Sequence, residues 1–205
     1  PPRSTLFPYT TLFRSALGLP IVFGVCGASG MPLAKAVLAA FASVPGLECH
    51  LIISTQASRV LEAECEVSAE ALGGLAAASH EPGDLSAGPA SGSWQHNGMV
   101  ICPCTMSSLA AIAGGYGSNL IHRAADVSLK ERRPLILVTR ETPLSLIHIN
   151  NMQAATQAGA CIMPFMPAFY SGETTLAGLM RHFAGRLLDQ LHIPHTLCAR
   201  WRNNQ

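Results

Sequence analysis

Charge is scarce in this chain. Asp, Glu, Lys and Arg make up 12% of its 205 residues, and 13 basic side chains nearly cancel 12 acidic ones. Electrostatic capture of nucleic acid needs a bulk positive field, so that class is excluded and any basic site must be local. A cysteine framework is also lacking: seven cysteines are an odd count without regular spacing, which fits a reducing cytoplasm rather than a secreted disulfide scaffold. Nor is there an unbroken membrane-length apolar run. The nearest to one, Ser15 to Ala34, is punctuated by Pro20, Gly24, Gly27, Gly30 and Pro32, which suits a strand, a turn and a helix start.

Hydrophobic residues are plentiful instead, at 49%. With so little charge, that implies a large buried core and a surface partly covered by sister subunits. The length fits one domain. Residues 1–15 stand apart: Thr5-Leu6-Phe7 recurs as Thr11-Leu12-Phe13, each flanked by an Arg-Ser pair. The segment has no cleavable leader pattern and is set aside as an assembly or expression scar.

From Pro20 onward short apolar runs alternate with amphipathic stretches, the signature of an α/β fold on a parallel sheet. Strands are expected at Ile21–Val25, from Leu51 to Ile53, at Met99–Cys102, at Leu135–Val138 and at Ala160–Met163. Helices are expected at Met31–Phe41, 55–65, Ser107–Ala113, Asn119–Arg132 and near 144–158. A last helix carries Leu176, Met180, Phe183, Leu187 and Leu191 at three- or four-residue spacing, so one face should pack on the sheet. Residues 73–98, rich in small residues and proline, read as a long irregular connection. In such sheets ligands bind beyond the carboxyl ends of the strands, where the unusual motifs fall.

Gly27-Ala28-Ser29-Gly30 joins the first strand to the first helix. Glycines there let backbone approach a ligand, and open helix amides attract phosphate, although such a turn also serves as a plain tight connection. Thr105, Ser107 and Ser108 follow the strand end Cys102-Pro103-Cys104. They can bind the same phosphate or cap a helix. No second cysteine or histidine pair completes a zinc set, so Cys102 and Cys104 read as buried core residues. Arg123 and Lys130, seven apart on a helix, share a face that one anion could bridge, whereas Arg132 and Arg133 read as a solvated helix end. Arg140-Glu141 follows a strand directly, as an ion pair or as a cation beside an acid–base carboxylate. Tyr170, at the end of a loop, and Arg186, beside the apolar stripe, are both expected to face inward.

Gly27-Ala28-Ser29-Gly30, Met99-Val100-Ile101-Cys102-Pro103-Cys104, Asn119-Leu120-Ile121, Arg123-Ala124-Ala125-Asp126-Val127, the run Leu129–Leu135 and Arg140-Glu141-Thr142-Pro143 together resemble, in order, the blocks of the UbiX-type flavin prenyltransferases. The likeness runs from about Ile21 to Trp201. It implies a flavodoxin-like, Rossmann-like three-layer fold, with residues 16–205 as one FMN-binding domain. It places FMN on Gly27, Ala28, Ser29, Ser54, Thr105, Met106, Ser107, Ser108 and Arg140. It places dimethylallyl phosphate on Ser91, Arg123, Lys130, Tyr170 and Arg186, with Glu141, Glu64 and Ser29 as catalytic groups and no metal. The implied reaction joins the dimethylallyl carbon to the central-ring nitrogen of reduced FMN, expels phosphate, and closes a further ring. Lys130, Arg140 and Arg186 would offset the departing charge and Glu141 would take the proton. The likeness also implies a homo-oligomer, often of twelve subunits, with shared sites, and a UbiD-type decarboxylase as recipient of prenylated FMN. An FMN-dependent cysteine decarboxylase and a non-catalytic flavin carrier are the rival readings. Departures are Cys26 before the turn, Thr105 in place of Ser, and Gly117-Ser118.

Overall fold

The structure, a computed structural model, describes residues 18–198. The 1–15 segment and Trp201 therefore lie outside the described residues. Six strands form one parallel sheet: β1 (Ile21–Val25), β2 (Cys49–Ile53), β3 (Ala78–His80), β4 (Met99–Cys104), β5 (Leu135–Thr139) and β6 (Cys161–Ile162), in the order β3-β2-β1-β4-β5-β6. Helices α1 (Met31–Ala42), α2 (Thr55–Cys65), α3 (Ala69–Gly73), α4 (Met106–Ala113), α5 (Leu120–Lys130), α6 (Leu146–Gln157) and α7 (Leu176–Gln190) complete a doubly wound α/β domain.

Every residue of β1, β4 and β5 is buried, as befits strands covered on both faces and read from the sequence as continuous apolar runs. Side-chain alternation splits the core in two. Ile21, Phe23 and Val25 face α1, α2 and α7, where Phe41, Leu61 and Leu187 are buried. Val22 and Ile101 face Leu109, Ile121 and Ala155 of α4, α5 and α6. Cys102 and Cys104 are buried free thiols, as expected.

The chain reverses its winding between β1 and β4, so the crevice beyond their carboxyl ends is where this topology binds ligands. Several helices begin there on a side-chain cap. Ser54 accepts from the Ala57 amide at 3.2 Å, Thr105 from Ser108 at 3.1 Å and Asn119 from His122 at 3.0 Å. Each such cap contributes about 1 kcal/mol.

Three expectations need correction. The 73–98 connection contains strand β3 and a 3-10 turn at Gly88–Ala90; Ala-Ser-His at a sheet edge has no apolar alternation to announce it. The last helix packs on α1 and on the face of the sheet through Phe183, Leu187 and Leu188, but Leu176, expected on that face, is 60% exposed. Tyr170, expected to face inward, is 58% exposed. No helix among the described residues is long and apolar enough to cross a membrane.

Candidate active site

The turn after β1 is held against the start of α2. A Cβ on Gly27 would lie 2.6 Å from Gln56 Cβ and 3.0 Å from the Gln56 carbonyl carbon, so the residue there must be glycine. Gly30 caps α1 at φ 112°, a left-handed conformation that also favours glycine. The amides that open α1 are occupied: Glu64 Oε2 accepts from Gly30 N at 2.8 Å and from Met31 N at 2.9 Å. Burial raises the Glu64 carboxyl, but the Ser29 hydroxyl, these two amides and the Arg140 charge outweigh it and hold the group below its ordinary value. The α1 terminus thus carries its own carboxylate. An incoming phosphate finds open amides instead at Met106 and Ser107 of α4, which have no partner among the described residues.

Beside those amides lies a hydrogen-bonded chain. Thr105 Oγ1 is 3.0 Å from Ser107 Oγ and donates to Ser108 Oγ at 3.0 Å. The Cys26 thiol also donates to Ser108 Oγ, at 3.3 Å. With two donors arriving, the Ser108 proton goes to His122 Nε2 at 3.1 Å, and His122 Nδ1 faces Ser118 Oγ at 3.3 Å. Burial lowers the His122 pKa, so the ring is neutral. Cys26, just before the glycine turn, therefore supplies a donor to this chain.

A cavity of about 630 Å³ opens beyond β1, β4 and β5, with Ser29, Glu64, Arg140 and Glu141 on its wall and Val138, Phe165, Leu176 and Met180 as its apolar faces. The exposed Leu176 of α7 belongs to this wall. Thr139, at the end of β5, lines the same cavity, and its Oγ1 is buried without a partner among the described residues. Apolar slabs with a few fixed polar groups, one of them unsatisfied, fit a flat aromatic ring with polar edges. Arg140 and Glu141 make no ion pair with each other among the described residues; Glu141 Oε1 accepts from the Thr142 amide at 3.0 Å.

A side pocket of about 210 Å³ shares Pro164 and Met166 with the large cavity. Met163, Leu179 and Phe183 give it apolar walls, and Tyr170, His182 and Arg186 give it polar ones. It suits a short branched hydrocarbon ending in an anion.

Residues 12–180 match the family model described as Flavoprotein. The flavin prenyltransferase UbiX of Thauera aromatica is 42% identical over 185 residues, covering 90% of this chain and 95% of its own length. The chain belongs to the UbiX-type flavin prenyltransferase family. Among solved structures of this kind, the dodecameric FMN-dependent UbiX-like decarboxylase from Escherichia coli O157:H7 superposes with a TM-score of 0.85 at 42% identity, covering 90% of this chain and all of that one. AnUbiX, solved with FMN and dimethylallyl pyrophosphate, gives 0.87 at 40% identity, covering 91% and 98%.

The site residues expected of a flavin prenyltransferase divide into two groups. Gly27, Ala28, Ser29, Ser54, Thr105, Met106, Ser107, Ser108, Arg140 and Glu141 sit on the turns, helix starts and strand ends at the carboxyl edge of the sheet, Glu64 reaches the start of α1 from the last turn of α2, and Tyr170 and Arg186 lie in the adjoining pocket. Ser91, Arg123 and Lys130 do not join them. Arg123 Nε donates to Ala90 O at 3.1 Å, and a Cβ on Gly92 would lie 2.6 Å from Lys130 Nζ, so these three line the outer side of α5. Helix α5 starts beside Pro82, beyond β3, and runs down to the start of β5, which puts Lys130 at the opposite edge of the sheet. Arg123 pairs with Asp126 at 2.6 Å and Lys130 with Glu131 at 2.5 Å.

Sequence reasoning did not find the His122 relay, the capping by Glu64 or the Thr139 hydroxyl. His122, in the first turn of an expected helix just after Ser118, is the one local signal that could have pointed to the first. No local signal marks a bond such as Glu64 to Gly30, which spans 34 residues.

Proposed function

We propose that this chain is a flavin prenyltransferase that moves a dimethylallyl group from dimethylallyl phosphate to reduced FMN. The observation that carries this reading is the pair of adjoining pockets that share Pro164 and Met166, one broad and apolar with polar ends, the other small, apolar and ended by Arg186 and Tyr170. Reduced FMN supplies the electron-rich ring: a carbon–nitrogen bond forms as the carbon–oxygen bond to phosphate breaks, phosphate leaves with the electron pair and the nitrogen gives up its proton; the remaining double bond then takes up a proton at one carbon while its other carbon bonds to the aromatic ring, which releases the proton that carbon carried. Ser54, Thr105, Ser107 and Ser108, with the Met106 and Ser107 amides, hold the FMN phosphate. Val138, Phe165 and Met180 exclude water from the ring. Arg140 and Arg186 oppose the charge that develops on the departing phosphate, and Glu141 accepts the proton. Glu64, locked to two amides and near Ser29, fixes the turn over which this happens.

Arg123 and Lys130 cannot reach that cavity on their own chain, because α5 and α7 cover opposite faces of the sheet. We assign them, with Ser91, to the site of a neighbouring copy in a homo-oligomer. Leu146 and Ile147 of α6, each 70% exposed, supply apolar surface for such packing. The scarcity of charge and the irregular spacing of the cysteines fit a cytoplasmic enzyme of one domain, whose product goes to a UbiD-type decarboxylase. The cysteine-decarboxylase and carrier readings leave the Arg186 pocket without a task.

The test is anaerobic incubation with reduced FMN and dimethylallyl phosphate, read by mass spectrometry. A flavin heavier by one dimethylallyl unit, with free phosphate released, is the expected result. Unchanged flavin, with FMN bound, would refute the reading.

A further inference from the structure

On the buried side of α7, Asp189 lies one turn beyond Arg186. Arg186 Nη1 donates to Asp189 Oδ2 at 2.6 Å. Exposed pairs at this spacing usually contribute little, because both side chains stay mobile and solvated. Asp189 differs. Its side chain is only 15% exposed, and its other oxygen, Oδ1, lies 3.0 Å from His195 Nε2, on a ring whose side chain is 0% exposed. The Leu197 amide donates to His195 Nδ1 at 3.1 Å. Nδ1 is therefore the acceptor, the proton sits on Nε2, and the imidazole donates to the carboxylate. The carboxylate is held at both oxygens, one by the segment that follows α7 and one by the arginine.

Cys198 completes a trio whose ligand atoms lie within 4.8 Å of one another, which raises a metal ion as a rival occupant. A guanidinium already on the same carboxylate and an N–H directed at it both oppose a second cation there. Asp189 also places negative charge behind the pocket that is to receive a phosphate, so it cannot help binding by attraction. What it can supply is orientation: a long, half-exposed arginine is fixed in one pose, and its remaining donors stay open to the ligand.

We infer that Asp189 and His195 form a positioning pair that aims Arg186 at the phosphate of the prenyl donor. This rests on the assignment of Arg186 made above, and the experiment separates the two. In the full-length assembled protein, Arg186→Ala, Asp189→Ala, His195→Leu and His195→Gln are compared for KM toward dimethylallyl phosphate, kcat, FMN affinity and melting temperature.

The expectation is that Asp189→Ala raises KM about tenfold, the usual effect of losing one charge-assisted contact. FMN affinity should stay unchanged and kcat should stay within about twofold, because the arginine still reaches phosphate at saturation. His195→Leu should raise KM less, and His195→Gln, which keeps an N–H donor at similar reach, should restore it. That histidine pair decides the matter alone should Asp189→Ala fail to fold. A KM that rises in Arg186→Ala but not in Asp189→Ala or His195→Leu would overturn the positioning pair and leave the function intact. A KM unmoved in Arg186→Ala would overturn the assignment of Arg186 and the pair with it. A KM that rises on adding a chelator to the wild-type protein would make the cluster a metal site and likewise overturn the inference.

Discussion

The family resemblance places two sets of cations around one departing phosphate, and the fold treats them differently. Arg140 and Arg186 stand at the carboxyl edge of the sheet beside apolar cavities, and Arg186 is braced from behind by a mostly buried carboxylate. Arg123 and Lys130 lie on the outer side of α5, with side chains 42% and 44% exposed, paired to the acidic neighbours Asp126 and Glu131. A cation earns catalytic strength from a dry, preorganised setting, which the first set has within one chain. The second set gains such a setting only where another copy covers it.

That contrast can be broken at several points. The largest effect is expected at Glu141, the proposed proton acceptor beside the first set: Glu141→Gln should cut kcat roughly 100-fold with KM little changed, the scale of lost general-base catalysis, read by steady-state kinetics under anaerobic conditions. Arg186→Ala should raise KM for dimethylallyl phosphate by about 10- to 100-fold, since a charge-assisted contact contributes about 1.5–3 kcal/mol, with FMN binding by titration unaffected. Gly27→Ala should weaken FMN binding and cost about 1–3 kcal/mol of stability in denaturant melts, because the new methyl overpacks against Gln56.

The smallest effect sharpens the contrast by pH. Glu64 has its carboxyl held down in the folded state, so its stabilisation is complete above its unfolded pKa of about 4.3 and is lost as pH falls through the lower folded value. Glu64→Gln should therefore cost about 1 kcal/mol or less at pH 7 and nothing once both forms are protonated. Thermal melts of both proteins from neutral to strongly acid pH check this.

How much of this was legible follows from where the information lies. Strands β1, β4 and β5 announce themselves because burial on both faces writes unbroken apolar runs, and α1 starts where Gly30 and Pro32 say it should. The edge strand β3 writes no such pattern. The glycine turn was legible as a ligand edge, but not the Glu64 carboxylate that fills its amides, since that contact depends on how α2 packs beside α1. In the same way Arg123 and Lys130 were legible as a shared helix face, while the separation of that face from Arg186 is a property of the winding. Helix α6 was legible by length, yet Leu146 and Ile147 point to solvent, an exposure that its apolar sequence does not foretell.

The central claim is that one catalytic centre draws Arg186 from one copy and Lys130 from another. Lys130→Ala and Arg186→Ala should each be nearly inactive at low dimethylallyl phosphate concentration when assembled alone. Assembled together from an equal mixture, they should recover about a quarter of wild-type activity, because random mixing leaves that share of inter-copy sites with both residues intact. Mixed assemblies no more active than either variant alone would contradict the account.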